Sequence, residues 1–220
     1  MKLIICNSKK WFTLDEKFFR NNTVKFITKK DELSIEFLQK FNPDYIFFTH
    51  WNWIVPEDIH NNYRCVVFHT APLPYGRGGS PIQNLILNGF ESSPVCALRM
   101  TKELDAGAIY SKIDISLKGS LKEIFLRINY AINNLIFEII NNKIIPMEQK
   151  GKPVVFHRLK NEDNQLPTHI DLKEIYDRIR MLDHDDYPNA YIIHGGYKFE
   201  FFDAHQETNS INLKCKISKY

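Results

Sequence analysis

The sequence predicts an α/β fold: a Rossmann-like, mostly parallel sheet with flanking helices, followed by a small C-terminal helix and β-hairpin appendage. Two observations predict it. Short apolar runs alternate with helical patterns through the first two thirds of the 220 residues, an order typical of parallel strands joined by helical crossovers. The last third instead contains an amphipathic helical pattern and two strand-like runs around a glycine pair, which indicates a hairpin. We therefore expect a catalytic domain over residues 1–148 and a linker with the appendage over residues 149–220.

The predicted strands of the sheet are short apolar runs. They are Leu3–Cys6, Val24–Thr28, Tyr45–Thr49, Cys65–Phe68 and a run near Val95–Met100. Tyr45–Thr49 is continuously aromatic and β-branched, as in a strand that is buried on both faces of a parallel sheet. Ligands of such sheets lie beyond the carboxyl ends of the strands, where His50 and His69 both fall.

Helices are predicted between these strands from apolar periodicity and capping residues. One covers Leu33–Phe41 and ends at Asn42-Pro43, and a second runs from Ser80-Pro81 to about Asn88, with proline in its first turn. Pro56–Asn62 is a short connector or helix. A long helix begins at a capping box between Ser120 and Glu123, and its apolar stripe must end before Pro146.

The C-terminal part has a different pattern. Residues 149–170 are polar without a periodic signal, which predicts a linker or an arm. Leu172–Leu182 is predicted to be an amphipathic helix, and Ala190–Ile193 and Tyr197–Phe202 flank the turn at Gly195-Gly196. The polar tail from residue 206 is expected to fray, with an edge strand over Leu213–Ile217 as the alternative.

Composition sets the broad class of protein. The formal net charge is +3 and the basic residues are dispersed, so we expect no nucleic-acid partner. The four cysteines have no paired spacing, which predicts reduced thiols, and no cluster of ligands implies a metal. No segment approaches the ~20 apolar residues of a membrane span. We therefore expect a soluble cytoplasmic protein without a membrane partner.

Two polar segments carry the candidate chemistry. His69 follows a buried strand and opens a loop rich in proline and glycine, and Asp105 lies 36 residues later among small residues. Each alone has an ordinary structural explanation, a core histidine or a turn aspartate. Together they predict an acid–base pair at the ends of neighbouring strands, in which the carboxylate fixes the imidazole tautomer and supports its charged form. The glycines of the loop are expected to let the backbone approach a ligand closely.

These two segments resemble the folate-dependent formyltransferases, which carry a histidine followed by Leu-Pro and Arg-Gly, and a Leu-Asp-x-Gly at a similar interval. The resemblance covers about Tyr45 to Ile140. It implies N10-formyltetrahydrofolate as co-substrate and no metal. It also implies that His69 and Asp105 assist the attack of an amine on the formyl carbon, with protonated His69 stabilising the oxyanion that develops.

One position departs from the family pattern. The family places an asparagine two residues before the histidine, where its amide helps to hold the formyl oxygen, and this chain has Val67. The loss of such a donor ordinarily costs about 10²–10³ in rate. Asn52 is the predicted replacement, with His50 or a backbone N–H as alternatives. A catalytically impaired binding subunit is the remaining interpretation.

The resemblance also implies binding residues on the same loops. The predicted folate pocket is formed by Trp53, Ile54, Val55, Ala106 and Gly107, and the predicted acceptor site by Thr70, Tyr75 and Arg77. Trp53 has the alternative of simply plugging the sheet edge. Arg77 has the alternative of an ordinary surface ion pair, but a guanidinium beside the catalytic histidine suits an anionic group on the acceptor.

The short appendage and the dispersed charge resemble the sugar N-formyltransferase branch of this family. The expected acceptor is therefore a nucleotide-linked amino sugar, of the UDP-4-amino-4,6-dideoxy type used in pseudaminic acid and surface polysaccharide biosynthesis. A homodimer is a further expectation. The alternatives are a folate or nucleotide-sugar binding subunit, a hydrolase that releases formate, and a methionyl-tRNA or peptidyl-carrier-type formyltransferase.

Overall fold

A computed structural model describes residues 1–220 and contains eleven strands and six α-helices. In chain order the strands are β1 Lys2–Asn7, β2 Thr23–Ile27, β3 Tyr45–His50, β4 Cys65–Thr70, β5 Tyr75–Gly78, β6 Ser92–Arg99, β7 Ile109–Ser116, β8 Val154–Phe156, β9 Ala190–His194, β10 Tyr197–Gln206 and β11 Ile211–Lys219. The helices are α1 Lys17–Asn21, α2 Ile35–Phe41, α3 Glu57–Asn62, α4 Pro81–Leu87, α5 Leu121–Asn141 and α6 Leu172–Arg180.

The central sheet has six strands in the order β2-β1-β3-β4-β6-β7. The first four are parallel, and β6 and β7 are antiparallel to their neighbours. β1, β3 and β4 are buried almost throughout, as expected for parallel strands covered on both faces. The predicted fold class, an α/β protein with a mostly parallel sheet and C-terminal antiparallel strands, is confirmed.

The long helix α5 covers one face of the sheet. Ser120 accepts from the backbone N–H of Glu123, and the Glu123 carboxylate accepts from the backbone N–H of Ser120, so the predicted capping box is present. The apolar stripe of α5 is buried and belongs to the larger of two apolar clusters. No helix of the chain combines the length and the apolar character needed to cross a membrane.

The C-terminal elements are held to this domain by a buried guanidinium. Arg180, at the end of α6, donates to the Asp177 carboxylate at 2.7 Å and to the carbonyl oxygens of Leu117 and Gly119 at 2.7 and 2.8 Å. The last two residues lie between β7 and α5. Because Arg180 and Asp177 are both buried, this cluster fixes where α6, and the three-stranded sheet β11-β10-β9 beyond it, begin.

Two local predictions are changed by the structure. Residues 149–170 are not a structureless linker: β8 pairs with β5, and a 3-10 helix covers Asn161–Asn164. The segment is polar because much of it lies at the surface, and backbone hydrogen bonds rather than an apolar stripe order it. The tail does not fray, and the alternative of an edge strand over Leu213–Ile217 is confirmed: β11 contains these residues, lies at the edge of the three-stranded sheet and pairs along β10. The domain boundary at residue 148 stays a prediction.

Candidate active site

His69 lies at the end of β4 with only 7% of its surface exposed. Its Nε2 lies 2.7 Å from the carbonyl oxygen of Gly76, and its Nδ1 lies 3.4 Å from Oδ2 of Asp105. Both ring nitrogens therefore face oxygen acceptors. These two contacts fix the orientation of the imidazole ring in the site.

Asp105 reaches His69 by a route that differs from the expected one. Because β6 runs antiparallel to β4, its carboxyl end lies opposite Val66, near the start of β4. The loop after Arg99 carries the chain back, and Asp105 sits in this loop with φ +52°. The backbone N–H of Gly78 donates to its Oδ2 at 3.0 Å. The pairing of His69 and Asp105 thus holds, but the expectation of neighbouring strand ends was wrong.

Gln149 fixes this loop from behind, and no sequence motif indicated it. Its side-chain amide donates to the carbonyl oxygens of Asp105 at 2.7 Å and Gly107 at 3.0 Å. Its Oε1 accepts from two nitrogens of Arg77, at 3.1 and 2.9 Å. One glutamine therefore ties the loop that carries the histidine's carbonyl partner to the loop that carries the aspartate.

Two glycines of the first loop leave room for another segment of the chain. A Cβ on Gly78, whose φ is +101°, would lie 2.5 Å from the carbonyl oxygen of Phe156, and one on Gly79 would lie 2.6 Å from Cβ of Arg158. These atoms belong to β8 and the residues after it. Both glycines approach the segment 154–158 closely and also line the cleft, and the predicted approach to a ligand stays a prediction.

The predicted acceptor residues are not brought together. Thr70 lines the cleft beside His69. Tyr75 packs against Phe90 and Phe156, with ring centroids 5.5 and 5.2 Å apart. The side chain of Arg77 is 13% exposed, bound to Gln149 and paired with Glu103 at 3.1 Å. Tyr75 and Arg77 both lie outside the lining of the cleft.

A cleft of about 840 Å³ is lined by both members of the pair. One part of its lining, which we call the donor end, is formed by the loop residues Trp53, Ile54 and Val55 and by Leu104 and Gly107 of the loop that carries Asp105. Ile54 is 84% exposed there and Trp53 and Leu104 are also exposed. Such apolar walls suit a flat heteroaromatic ring, so this end fits the pterin of a folate.

Gly107 and Ala106, two of the predicted folate-pocket residues, lie in the loop that carries Asp105. A Cβ on Gly107 would overlap the carbonyl oxygen of Arg99, so the return of the loop along β6 requires glycine there. Ala106 lies in the same loop outside the cleft lining. Their sequence-predicted roles toward the folate stay predictions.

The other end, the acceptor end, lies between the sheet and the C-terminal elements. Trp11 stacks on Phe125 of α5 with centroids 4.2 Å apart. Tyr187 also lines this end, and burial raises the pKa of its hydroxyl. Arg158 and Lys160 lie on its rim, and neither has a carboxylate partner within 4 Å. This end is therefore aromatic inside and basic at its edge.

The structure separates the two candidate replacements for the missing amide. Asn52 is exposed on the loop after β3, and its side chain makes no hydrogen bond. His50 lies 4.0 Å from Trp11 between ring centroids. Burial, with Lys9 nearby, lowers the pKa of His50 to about 3, and its Nε2 is buried without a hydrogen-bond partner. Both residues line the cleft, as does Val67.

Comparison with known proteins gives the family. The family model described as "Formyl transferase" matches residues 3–138. The chain belongs to the formyl transferase family. A second model, "Methionyl-tRNA formyltransferase, C-terminal domain", matches residues 161–218. The family uses formyl-tetrahydrofolate as its formyl donor, as the resemblance implied.

Relatives within the family point away from the sugar branch. The chain is 34% identical over 152 residues to a methionyl-tRNA formyltransferase of Campylobacter lari, covering 68% of this chain and 50% of that protein. A methionyl-tRNA formyltransferase structure from Clostridium thermocellum is 38% identical, with a TM-score of 0.95 and full coverage of both chains. The chain spans about half the length of the Campylobacter relatives that it matches.

More distant structures share the fold alone. A sugar N-formyltransferase from Shewanella is 18% identical with a TM-score of 0.70, and HypX from Aquifex aeolicus with tetrahydrofolic acid is 18% identical with a TM-score of 0.79.

Because the more similar relatives are methionyl-tRNA formyltransferases, the prediction of an amino-sugar acceptor was wrong, and the exclusion of a nucleic-acid partner is unsupported. The short appendage misled because the Clostridium structure, a methionyl-tRNA formyltransferase, is itself covered over its full length by this chain.

Proposed function

We propose that this formyl transferase moves the formyl group of N10-formyltetrahydrofolate to the α-amine of an aminoacyl group on tRNA, with methionyl-tRNA as the acceptor. The observation that carries the proposal is the His69–Asp105 pair, which lines a cleft together with the apolar donor end and the basic-rimmed acceptor end. The end-to-end similarity to the Clostridium protein supports the choice of acceptor.

His69 and Asp105 handle charge and protons in this proposal. The imidazolium of His69 stabilises the negative charge that develops on the formyl oxygen as the amine attacks. Its Nε2 is free to do so once it releases the Gly76 carbonyl, a neutral acceptor that substrate can replace. Asp105, fixed by Gly78 and by Gln149, accepts the proton that the attacking amine must lose. When the tetrahedral intermediate collapses, the bond between the formyl carbon and N10 breaks and that proton passes to N10, which leaves as tetrahydrofolate.

His50 is the better candidate for the donor that Val67 does not supply. A buried polar nitrogen without a partner costs free energy, and a ligand oxygen in the cleft would satisfy Nε2 of His50. Because the pKa of His50 is about 3, the ring is neutral at pH 7 and keeps one N–H to donate. Kinetics separate the candidates: His50→Phe lowers kcat while Asn52→Ala leaves it unchanged, and the reverse result would assign the role to Asn52.

A basic segment beside the acceptor end supports a nucleic-acid-linked acceptor. Between Gln149 and Asn161 the chain carries Lys150, Lys152, Arg158 and Lys160 and no acidic residue. None of these four cations has a carboxylate partner within 4 Å. The segment lies against the catalytic loop through β5 and β8, so phosphates of an acceptor end would meet it close to His69.

The C-terminal domain makes a second acceptor worth testing. In residues 161–218 acidic side chains outnumber basic ones, the opposite of a surface built to bind RNA phosphates. A small aminoacyl group carried by a protein would need only the cleft and its rim.

If tRNA is the acceptor, the protein contacts few of its phosphates. The KM for tRNA then depends only weakly on salt, with a slope of about 1 to 3 in a plot of log KM against log salt concentration.

The test is a transfer assay with labelled N10-formyltetrahydrofolate and four acceptors: methionyl-tRNA, free methionine, methionyl thioester on a carrier protein, and a nucleotide-linked amino sugar as the control. We expect formyl-methionyl-tRNA as the main product. Arg158→Gln with Lys160→Gln should raise the KM for tRNA at least fivefold, whereas Lys112→Gln, an exposed cation outside the cleft, should not. Transfer to the thioester alone would select the carrier, and no transfer to any aminoacyl acceptor would overturn the proposal.

A further inference from the structure

A second cavity, which we call the basic pocket, lies where β3 and β4 begin and where the chain leaves α5. Its volume of about 830 Å³ is in the range of sites for small molecules. Six residues line both this pocket and the cleft: Glu57, His60, Arg99, Met100, Thr101 and Lys102. Neither His69 nor Asp105 lines the basic pocket, so it is a space apart from the catalytic pair.

The charge of this pocket is strongly one-sided, with four cations against one carboxylate. Lys102 pairs with that carboxylate, Glu57, at 2.9 Å. The side chains of the other three, Arg64, Arg99 and Lys143, form no ion pair and no hydrogen bond within the chain. Cations gathered around one cavity repel one another, and they attract a ligand that carries several negative charges.

The backbone brings two of these cations to neighbouring strand ends. The N–H of Met100 donates to the carbonyl oxygen of Cys65 at 3.0 Å, so Arg64 and Arg99 each precede one partner of this hydrogen bond. The guanidinium of Arg64 also lies 5.6 Å from the centroid of the Tyr45 ring, a cation–π arrangement that limits its motion. Guanidinium groups bind phosphate oxygens in a bidentate manner, so this arrangement suits phosphate groups.

The uncharged part of the lining suits a flat heteroaromatic ring. Tyr63 and Tyr110 add half-buried aromatic surface, and Ile145 and Pro146 add an aliphatic edge. Ile145 is 84% exposed, so a planar ring in the pocket could cover it and remove apolar surface from water. Inorganic phosphate would use only the cations, whereas a nucleotide would use both parts of the lining.

We propose that the basic pocket binds a nucleoside polyphosphate, with its phosphates on Arg64, Arg99 and Lys143 and its base against Tyr63, Tyr110 and Ile145. Charge and size together give the ligand class. Adjacent phosphates carry enough charge for three cations, and a nucleotide is small enough for the cavity. Single-stranded RNA instead uses a groove that follows its backbone. The inference does not depend on which formyl acceptor the protein uses.

The test is titration calorimetry on the full chain with AMP, ATP, GTP and inorganic triphosphate, in about 0.15 M KCl to screen attraction to scattered surface charges. The wild-type protein should bind ATP or GTP at least ~10-fold more tightly than AMP, because the added phosphates reach the unpaired cations. It should also bind that nucleotide more tightly than inorganic triphosphate.

Two sets of variants locate the binding. The triple substitution Arg64→Gln, Arg99→Gln and Lys143→Gln should abolish the binding of the nucleotide. The charge-matched control Lys25→Gln, Lys112→Gln and Lys122→Gln changes three exposed cations outside the pocket and should keep it. Ile145→Ala, at an exposed position, should weaken the nucleotide and leave inorganic triphosphate unchanged.

Three results would overturn the inference. One is no saturable binding of ATP or GTP, or the same affinity in the triple variant at the pocket. A second is inorganic triphosphate that binds as tightly as either nucleotide, since the pocket would then take anions without a base. The third is a triple variant that raises the KM for methionyl-tRNA while nucleotides bind neither protein, which would assign the cations to RNA. None of these results bears on formyl transfer, which the acceptor assay measures separately.

Discussion

Replacement of Gln149 by alanine should weaken both the fold and catalysis, because four hydrogen bonds converge on its side chain. Two join it to neutral carbonyls of the Asp105 loop, and two join it to the charged Arg77. A neutral bond contributes about 0.5–1.5 kcal/mol and one to a charged group about 1.5–3 kcal/mol. Since the site is half-buried and water can replace part of this, we expect the free energy of unfolding to fall by about 2–4 kcal/mol.

The catalytic effect follows from what Gln149 holds. Without the Gln149 amide the carbonyl oxygen of Asp105 loses its hydrogen bond, so the loop that carries Asp105 becomes more mobile. The Asp105 carboxylate then spends less time near His69. We expect kcat to fall at least tenfold with KM for the folate changed less than threefold. The assays are urea unfolding and steady-state formyl transfer on the same preparation.

A matched variant separates positioning from stability. In Gln149→Glu one carboxylate oxygen still accepts from Arg77, whereas the other replaces the amide donor and faces the carbonyl oxygens of Asp105 and Gly107. The substitution therefore breaks only the two hydrogen bonds to the Asp105 loop. It should lose kcat as Gln149→Ala does while retaining more stability. Full kcat in Gln149→Glu, or an unchanged free energy of unfolding in Gln149→Ala, would refute the reasoning.

Three further predictions concern stability and reactivity. The pKa of His50 is about 3 in the folded chain, whereas the unfolded chain binds the proton below about pH 6.5. The free energy of unfolding should therefore fall as the pH drops from 6.5 to 4.5, by about 2–3 kcal/mol more in wild type than in His50→Phe. Parallel pH profiles of unfolding for the two proteins would contradict this. Arg180→Ala should cost about 3 kcal/mol in urea unfolding, since it leaves the buried Asp177 without its guanidinium, whereas a loss below 1 kcal/mol would mean that α6 is held otherwise. Burial raises the pKa of the Cys65 and Cys96 thiols to about 12 and 11, and that of the Cys6 thiol further. A thiol reagent at pH 8 should therefore modify the native protein once, at the exposed Cys215. Two or more adducts in mass spectrometry of the native protein would contradict the protection of the three buried thiols.

The fold was largely predictable because its signals are local. Buried strands such as Tyr45–His50 need continuous apolar residues, and α5 needs an apolar stripe with a cap, so both are visible in the sequence. The direction of β6 was not visible, since apolar strands read alike in parallel and antiparallel pairs. The same holds for β8, whose order comes from pairing with β5 rather than from its own composition.

The site was predictable only where chemistry and spacing coincide. His69 and Asp105 stand out because the histidine opens a loop rich in proline and glycine and the aspartate follows 36 residues later among small residues. Gln149 carries no such signal: a glutamine in a polar segment becomes important only when the fold brings it to the carbonyls of Asp105 and Gly107. Arg77 shows the opposite error, since its place in the loop suggested substrate and its partners are Gln149 and Glu103.

The central claim is that His69 and Asp105 act as one unit in formyl transfer. Its most direct test is the single-turnover rate of transfer to methionyl-tRNA in wild type, His69→Gln, Asp105→Asn and the double variant, each checked for native unfolding behaviour. We expect each single substitution to lower the rate at least ~10²-fold and the double to lower it little further, because the losses of a unit do not add. A folded single variant with near-wild-type rate, or losses that multiply in the double variant, would contradict the account.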